Sequence, residues 1–264
     1  MYDRRRGGYN ELPQIYKITT TMLNDKIQII QIQVTALRQN CRIVVDVASG
    51  AGAIVDPGGD VELIIDAVKK HKIADIKYVL LTHAHFDHAG GVGRLLEELK
   101  RLGHHPQFAA HKAEATMRAG VSMQAVMFCT ADEKFDDCPE PEIYLEDGDV
   151  LDPGENVKIK ALLTPGHSPG HLSFLISDSP PAHLRRGVLH TPDGEEGTPH
   201  CVITGDALFN SSIGRTDLPG SNHNALMASI RGKLLTLPEN ILVMPGHGPD
   251  STIGNEIRYN PFLM

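Results

Sequence analysis

Three histidines and one aspartate crowd into Thr82-His83-Ala84-His85-Phe86-Asp87-His88. Imidazole and carboxylate are the donors that zinc and similar borderline ions prefer. The chain holds 14 histidines in 264 residues, yet an H-x-H-x-D-H pattern arises by chance in roughly one such chain in a few hundred. The segment therefore reads as metal-binding. In extended backbone His83 and His85 project to the same side and can chelate one ion. Asp87 and His88 fall where the chain turns and face elsewhere. Donors split in pairs predict two adjacent ions, each completed from farther along the chain.

Three later segments offer the missing donors. Thr164-Pro165-Gly166-His167-Ser168-Pro169-Gly170-His171 follows the apolar run Val157 to Leu163. Thr204-Gly205-Asp206 follows Cys201-Val202-Ile203, and Met244-Pro245-Gly246-His247-Gly248-Pro249 follows Ile241-Leu242-Val243. A lone histidine or aspartate after a strand is ordinarily a turn residue. Its repetition at four strand ends predicts one edge of a sheet lined with metal donors.

The elements that must position these groups follow from periodicity. Ile76 to Leu81 reads as a strand, and Val92, Leu95, Leu96, Leu99 and Leu102 have helical spacing. Gly90 and Gly91 allow close approach of backbone, and Gly103 can end the helix. Lys26 to Leu37 reads as a strand with a bulge at Ile29-Ile30, followed by strands Ile43 to Val47 and Ala53 to Val55. Asp60 reads as the N-cap of a helix that buries Val61, Ile64, Ile65 and Val68. After the strand Gln107 to Ala110 comes a helical stretch to about Phe128. Within it Met117, Met123, Met127 and Phe128 read as core packing before substrate lining. Asp132 to Glu142 is expected as a loop and Ala225 to Leu235 as a helix. His71, His104, His105 and His111 are expected at the surface.

Leu172 to Ser177 and Cys201 to Thr204 read as neighbouring strands. Their connection, Asp178 to His200, is longer than an ordinary hairpin loop. His167 precedes the first strand and Asp206 follows the second, so the hairpin opens at the metal edge. Its tip lies about 20 Å away. His183, His190 and His200 are thus expected to bind no catalytic metal, and the 178–200 insertion to serve surface packing or an oligomer contact.

The whole series resembles the metallo-β-lactamase superfamily, and within it the glyoxalase II-like (hydroxyacylglutathione hydrolase-like) metallohydrolases. The resemblance rests on Asn40, the segments 53–60, 82–91, 164–171, 205–209, 214–220 and 245–249, and Asn260-Pro261-Phe262-Leu263. It implies an α/β fold of the αββα type, a four-layer sandwich of two mixed β-sheets flanked by helices. It also implies two divalent metal ions, zinc (Zn2+) first, with iron or manganese as alternatives. His83, His85 and His167 would hold one ion, Asp87, His88 and His247 the other, and Asp206 would bridge them. Asp56 would be a buried carboxylate behind the metal donors, with His171 also behind them. Arg215 and Asp217 read as a salt-bridged turn at least as readily as a substrate clamp.

The resemblance implies hydrolysis. Two ions about 3.5–4 Å apart make a hydroxide available at neutral pH and polarise a carbonyl. Asp87 is the candidate catalytic residue, placed to move a proton as well as to bind metal. A thiolate leaving group, with a pKa near about 8.5, needs little protonation, so the expected partner is a small-molecule thioester such as S-lactoylglutathione. The chain looks like the compact branch of the family, without the helical C-terminal domain that holds glutathione in larger members. The alternatives are a persulfide dioxygenase with a single iron, which shares Gly214-Arg215-Thr216-Asp217, and a lactonase or other ester hydrolase. A vestigial binding module is disfavoured because all seven donor positions are intact.

Composition narrows the field further. At 264 residues and 41% hydrophobic, a single domain spanning 1–264 is expected, with residues 1–10 disordered. A net charge of −8 disfavours nucleic-acid partners, and with them the RNA-processing nucleases of the superfamily. Cys41, Cys129, Cys138 and Cys201 lack C-x-x-C spacing and suggest a reducing compartment. Arg4-Arg5-Arg6 leads into no apolar stretch, and no run approaches about 18 apolar residues. No membrane association and a cytoplasmic location are therefore expected.

Overall fold

Runs of β-branched residues favour extended backbone, and where both faces of a sheet are covered such runs need not alternate with polar residues. The computed structural model, which describes residues 17–128, 135–179 and 197–264, follows this rule. The expectations for residues 1–10, Cys129, His183 and His190 lie outside the described residues. β1 (Ile18–Met22), β2 (Ile27–Val34), β3 (Gln39–Asp46), β4 (Ala51–Val55), β5 (Asp75–Leu80), β6 (Gln107–Ala110) and β7 (Ile143–Tyr144) form one sheet in sequence order. Its first four strands are antiparallel neighbours and the rest are parallel. The parallel steps need crossovers. Helix α1 (Val61–Lys70) supplies the first, and α2 (Phe86–Ala89) with α3 (Val92–Arg101) the second. Helices α4 (Ala115–Arg118) and α5 (Val121–Met127) belong to the third.

The second sheet contains β8 (Val150–Gly154), β9 (Val157–Leu163), β10 (Leu172–Asp178), β11 (Pro199–Gly205), β14 (Leu242–Pro245) and β15 (Ser251–Thr252), in the order β15-β14-β11-β10-β9-β8. A small hairpin, β12 (Leu208–Phe209) with β13 (Ser212–Ile213), follows β11. Helix α6 (His223–Ser229) runs into a π-helical turn at Ile230–Leu234, and α7 (Ile253–Tyr259) follows β15. The order of layers is helix, sheet, sheet, helix. Ile30, Ile32, Ile43 and Ile54 pack outward under Ile64, Val68, Leu95 and Leu99. Ile27, Ile29, Val44 and Leu80 pack inward against Ile159, Phe174 and Ile203 of the other sheet. Leu175, Val202 and Val243 face Leu226, Ile230 and Leu234 on the far side.

Several expectations change in the structure. There is no bulge at Ile29-Ile30: the β2–β3 register is continuous from Ile27↔Asp46 to Val34↔Gln39. The two isoleucines stand side by side because each face of the sheet meets its own apolar layer. Asp60 occupies the N-cap of α1 without a capping bond from its side chain, and it accepts the Thr35 N–H at 2.6 Å instead. The helical stretch toward Phe128 divides at Gly120 into α4 and α5. Met123, Met127 and Phe128 are not core: Met123 is 71% exposed and Met127 75%. The apolar residues of α5 run all round the helix: Val121 and Ala125 share the buried face, and Met123 and Met127 lie on the opposite one. Gly103, at φ 90°, ends α3 as expected, with the His104 N–H returning to the Leu99 carbonyl.

Candidate metal centre

The first donors leave the end of β5 and enter α2. Asp56, just past β4 at φ 54°, sits beneath that turn. Its Oδ1 accepts the Thr82 N–H at 2.7 Å, and its Oδ2 accepts the Thr82 hydroxyl at 2.7 Å and His88 Nδ1 at 2.9 Å. The threonine proton is thereby committed, so Thr82 Oγ1 can only accept from His83 Nδ1, 3.0 Å away. The other donors leave the second sheet. His167 follows β9, Asp206 follows β11 and His247 follows β14. The expected edge of one sheet is therefore the common edge of two, joined where the Leu172 N–H at the start of β10 donates to the Thr82 carbonyl just past β5 at 2.7 Å.

Hydrogen-bond acceptors fix the tautomer of four of the rings. His167 Nδ1 donates to the Arg215 carbonyl at 2.9 Å and His247 Nδ1 to the Leu37 carbonyl at 3.2 Å. With His83 and His88 held as above, four Nε2 atoms turn their lone pairs to one place. His83 Nε2 and His167 Nε2 lie 3.0 and 2.9 Å from His85 Nδ1. One ring proton on His85 cannot satisfy both. Asp87 Oδ2 lies 3.0 Å from His247 Nε2 and 3.7 Å from His88 Nε2. Asp206 stands between the two groups, with Oδ1 3.3 Å from His88 Nε2 and Oδ2 3.7 Å from His167 Nε2.

Charge and hydrogen bonding both point to cations here. Among the described residues, the buried His88 Nε2 and Asp206 Oδ1 have no hydrogen-bond partner. Converging lone pairs repel in a buried setting unless a positive charge is shared among them. Burial first, and then the neighbouring imidazoles, push His83 well below the ordinary histidine range and His85 down to about 3. These rings are thus neutral, the form that binds metal. His88 goes the other way: burial opposes its protonation, but Asp206, Asp87 and Asp56 outweigh it and hold it well above the usual value. Burial would raise the pKa of Asp206, but His88, His247 and His167 hold it far below the ordinary carboxylate range. Three groups, His83/His85/His167, His83/His88/Asp206 and Asp87/His88/His247, have donor atoms close enough to share an ion. Nitrogen-rich donors with a carboxylate between them fit a pair of divalent ions.

The structure brings all seven expected donors together, along with supports that the sequence shows only faintly. His171 Nε2 accepts the Asp206 N–H at 3.1 Å while its Nδ1 meets Thr164 Oγ1 at 2.9 Å. Arg42 and Asn40 hold the His247 turn. Arg42 donates to the Pro245 carbonyl at 2.7 Å and to Asp250 at 2.9 Å, and Asn40 Nδ2 donates to the Pro245 and Gly248 carbonyls. The one signal for Arg42 is a charge inside an apolar strand. Arg215 and Asp217 form an exposed two-bond ion pair, the structural turn of the two readings. His104 and His111 are buried, contrary to the surface expectation. His104 accepts the Ile76 N–H, and His111 caps the 3-10 turn Lys112–Glu114 by accepting the Ala113 N–H. His200 lies 2.9 Å from Asn24 Nδ2 and beside Asp178.

Two facing mixed sheets with imidazole and carboxylate donors along their shared edge make a candidate site for divalent metal. The metallo-β-lactamase superfamily profile matches residues 34–180, and the chain belongs to that superfamily. It is 33% identical to the hydroxyacylglutathione hydrolase GloC of Haemophilus influenzae over 237 residues, 88% of this chain and 96% of GloC. Its fold is similar to that of the B3 metallo-β-lactamase BLEG-1, with a TM-score of 0.71 at 30% identity over 89% of this chain and 99% of that one. TTHA1623 in a di-iron-bound form gives a TM-score of 0.69 at 33% identity, over 88% of this chain and 99% of that one. Among the described residues, no helix is long and apolar enough to cross a membrane.

Proposed function

We propose that this protein is a binuclear thioester hydrolase of the glyoxalase II type, acting on S-lactoylglutathione or a related small-molecule thioester. The carrying observation is Asp206, whose carboxylate reaches both donor groups, Oδ1 toward His88 and Oδ2 toward both His167 and His247, and so favours a pair of ions over one. His83, His85 and His167 would hold the first ion, Asp87, His88 and His247 the second. Zinc suits the nitrogen-rich set, and iron is the alternative that the di-iron relative raises. Bound there, the ions supply a nucleophile from water at neutral pH and draw electrons from the substrate carbonyl. Asp87 Oδ2, 3.0 Å from His247 Nε2, faces the second group of donors, which leaves the other oxygen of this carboxylate to hold a proton during the reaction. The leaving thiolate, with a pKa near about 8.5, departs without a general acid. The likeness to GloC supports this substrate class. Buried, unpaired Cys41, Cys138 and Cys201 suit a reducing cytoplasm.

The test is metal analysis of protein purified without added metal, followed by turnover assays on the fully loaded enzyme. Two ions per chain and hydrolysis of S-lactoylglutathione are expected. Oxygen uptake with glutathione persulfide on a single iron, without thioester hydrolysis, overturns the proposal. Opening of a β-lactam or lactone in preference to a thioester overturns the substrate class and leaves the hydrolase.

A further inference from the structure

Glu114 is a buried carboxylate outside the seven donors, and it joins the two loops that carry the first three. It ends the 3-10 turn Lys112–Glu114, between β6 and α4, and is 1% exposed. Its Oε1 accepts the Ser168 hydroxyl at 2.7 Å and the Gly170 N–H at 2.6 Å. Its Oε2 accepts the Ala84 N–H at 2.9 Å. Ala84 stands between His83 and His85, and Ser168 follows His167. One side chain thus ties the loop leaving the first sheet to the loop leaving the second, next to each histidine of one group.

The surroundings leave this tie little slack. A Cβ built on Gly170 would lie 2.5 Å from His111 Nδ1 and 3.1 Å from Glu114 Cγ, so the His167 loop rests directly on the 3-10 turn. His111 caps that turn by accepting the Ala113 N–H. The next peptide is held as well, since Gln124 Nε2 of α5 donates to the Ala84 carbonyl at 3.2 Å. No partner of Glu114 among these bonds belongs to the turn that carries His247.

We infer that Glu114 is a positioning residue for the His83/His85/His167 group, setting the distance between the two loops so that three imidazole nitrogens converge. The inference rests on the two-ion reading of the centre. Glutamine in its place keeps the volume but offers only one acceptor oxygen, while its NH2 group can only donate. Either Ala84 or the Ser168–Gly170 pair then faces a donor in place of an acceptor, and one loop is released.

The experiment compares the wild-type full chain with E114Q and S168A by zinc titration against a competing chelator, with thermal unfolding as a check on folding. The wild type is expected to bind two ions. In E114Q the affinity for one ion should fall by about 10–100-fold, the range typical when a group supporting metal ligands is lost. The other ion should stay within a factor of about 3, inside the context-dependent spread of such supports. The cobalt(II)-substituted proteins identify the weakened ion by the change in their visible spectrum. Unchanged affinity for both ions in folded E114Q overturns the inference, as does equal weakening of both. If E114Q does not fold, S168A decides, since it removes one of three bonds: selective weakening of the same ion is expected, and unchanged binding overturns the inference. A wild type that binds a single ion at most overturns the two-ion reading itself, a result distinct from these.

Discussion

The Asp56 carboxylate and the His88 ring meet at 2.9 Å, both buried, and that contact leaves His88 Nε2 facing the metal centre. Asparagine at position 56 would tolerate the positive φ but would present an amide NH2 to groups that donate. Binding of the ion expected at Asp87, His88 and His247 should weaken about 10–100-fold in Asp56→Asn. Chelator competition measures it, and wild-type affinity in the folded variant would reduce Asp56 to a support of the Thr82 turn.

Asp206 faces both groups of donors, so Asp206→Ala should lower the bound metal from two ions toward one and reduce thioester turnover to background. Elemental analysis and a turnover assay on the same sample read both effects. A variant that keeps two ions and substantial turnover would show that the bridge is dispensable.

Stripping the metal should lower thermal stability. An ion present at 100 times its dissociation constant stabilises a fold by about 2.7 kcal/mol. For a chain of this size that corresponds to about 5–10 °C in Tm. Calorimetry with and without chelator gives the difference, and an unchanged Tm would mean that the lone pairs of the centre are not held together by metal.

Asp46 supplies a pH-dependent prediction away from the site. It ends β3 at the edge opposite the donors, where Asn156 and the Ala48 N–H donate to it. Burial alone would raise its pKa, but the bonds from Asn156, Ser49 and Ala48 outweigh burial and hold it below the ordinary carboxylate value. A folded value below the unfolded one contributes stability that is present above about pH 4 and is lost as pH falls through the folded value. Asp46→Ala should therefore cost about 1–3 kcal/mol at pH 7, and the gap from wild type should close in acid. Metal content should not change. A gap that widens as pH falls would contradict the sign of this argument.

Much of the fold and of the metal centre is legible in the sequence because the donors are local to strand ends. His83 and His85 declare themselves by spacing, and Asp206 and His247 by the turns that follow apolar runs. What stays hidden depends on partners far apart in the chain. Nothing near Glu114 predicts that Ser168 will donate to it, and nothing near Arg42 predicts the Pro245 carbonyl. The mistaken bulge at Ile29-Ile30 has a different origin, since an unbroken apolar pair fits either a kink or a doubly covered strand. Helix α5 misleads for a third reason. Met123 and Met127 share a face by their spacing, but Val121 and Ala125 define the opposite face, and that is the one α5 buries.

The two donor groups each draw from both sheets. His83 and His85 come from one and His167 from the other, and Asp87 and His88 are matched in the same way by His247. The sandwich therefore acts as a caliper, and its thickness is a parameter of the chemistry. Leu80, Ile159 and Phe174 are not among the donors, yet they pack together between the two jaws and set how far apart these stand. A close-packed interior passes on even a methylene of added or lost volume. Substitutions deep in the middle layer should thus be felt first as a change in the bite of the metal centre, before they are felt as a loss of the fold.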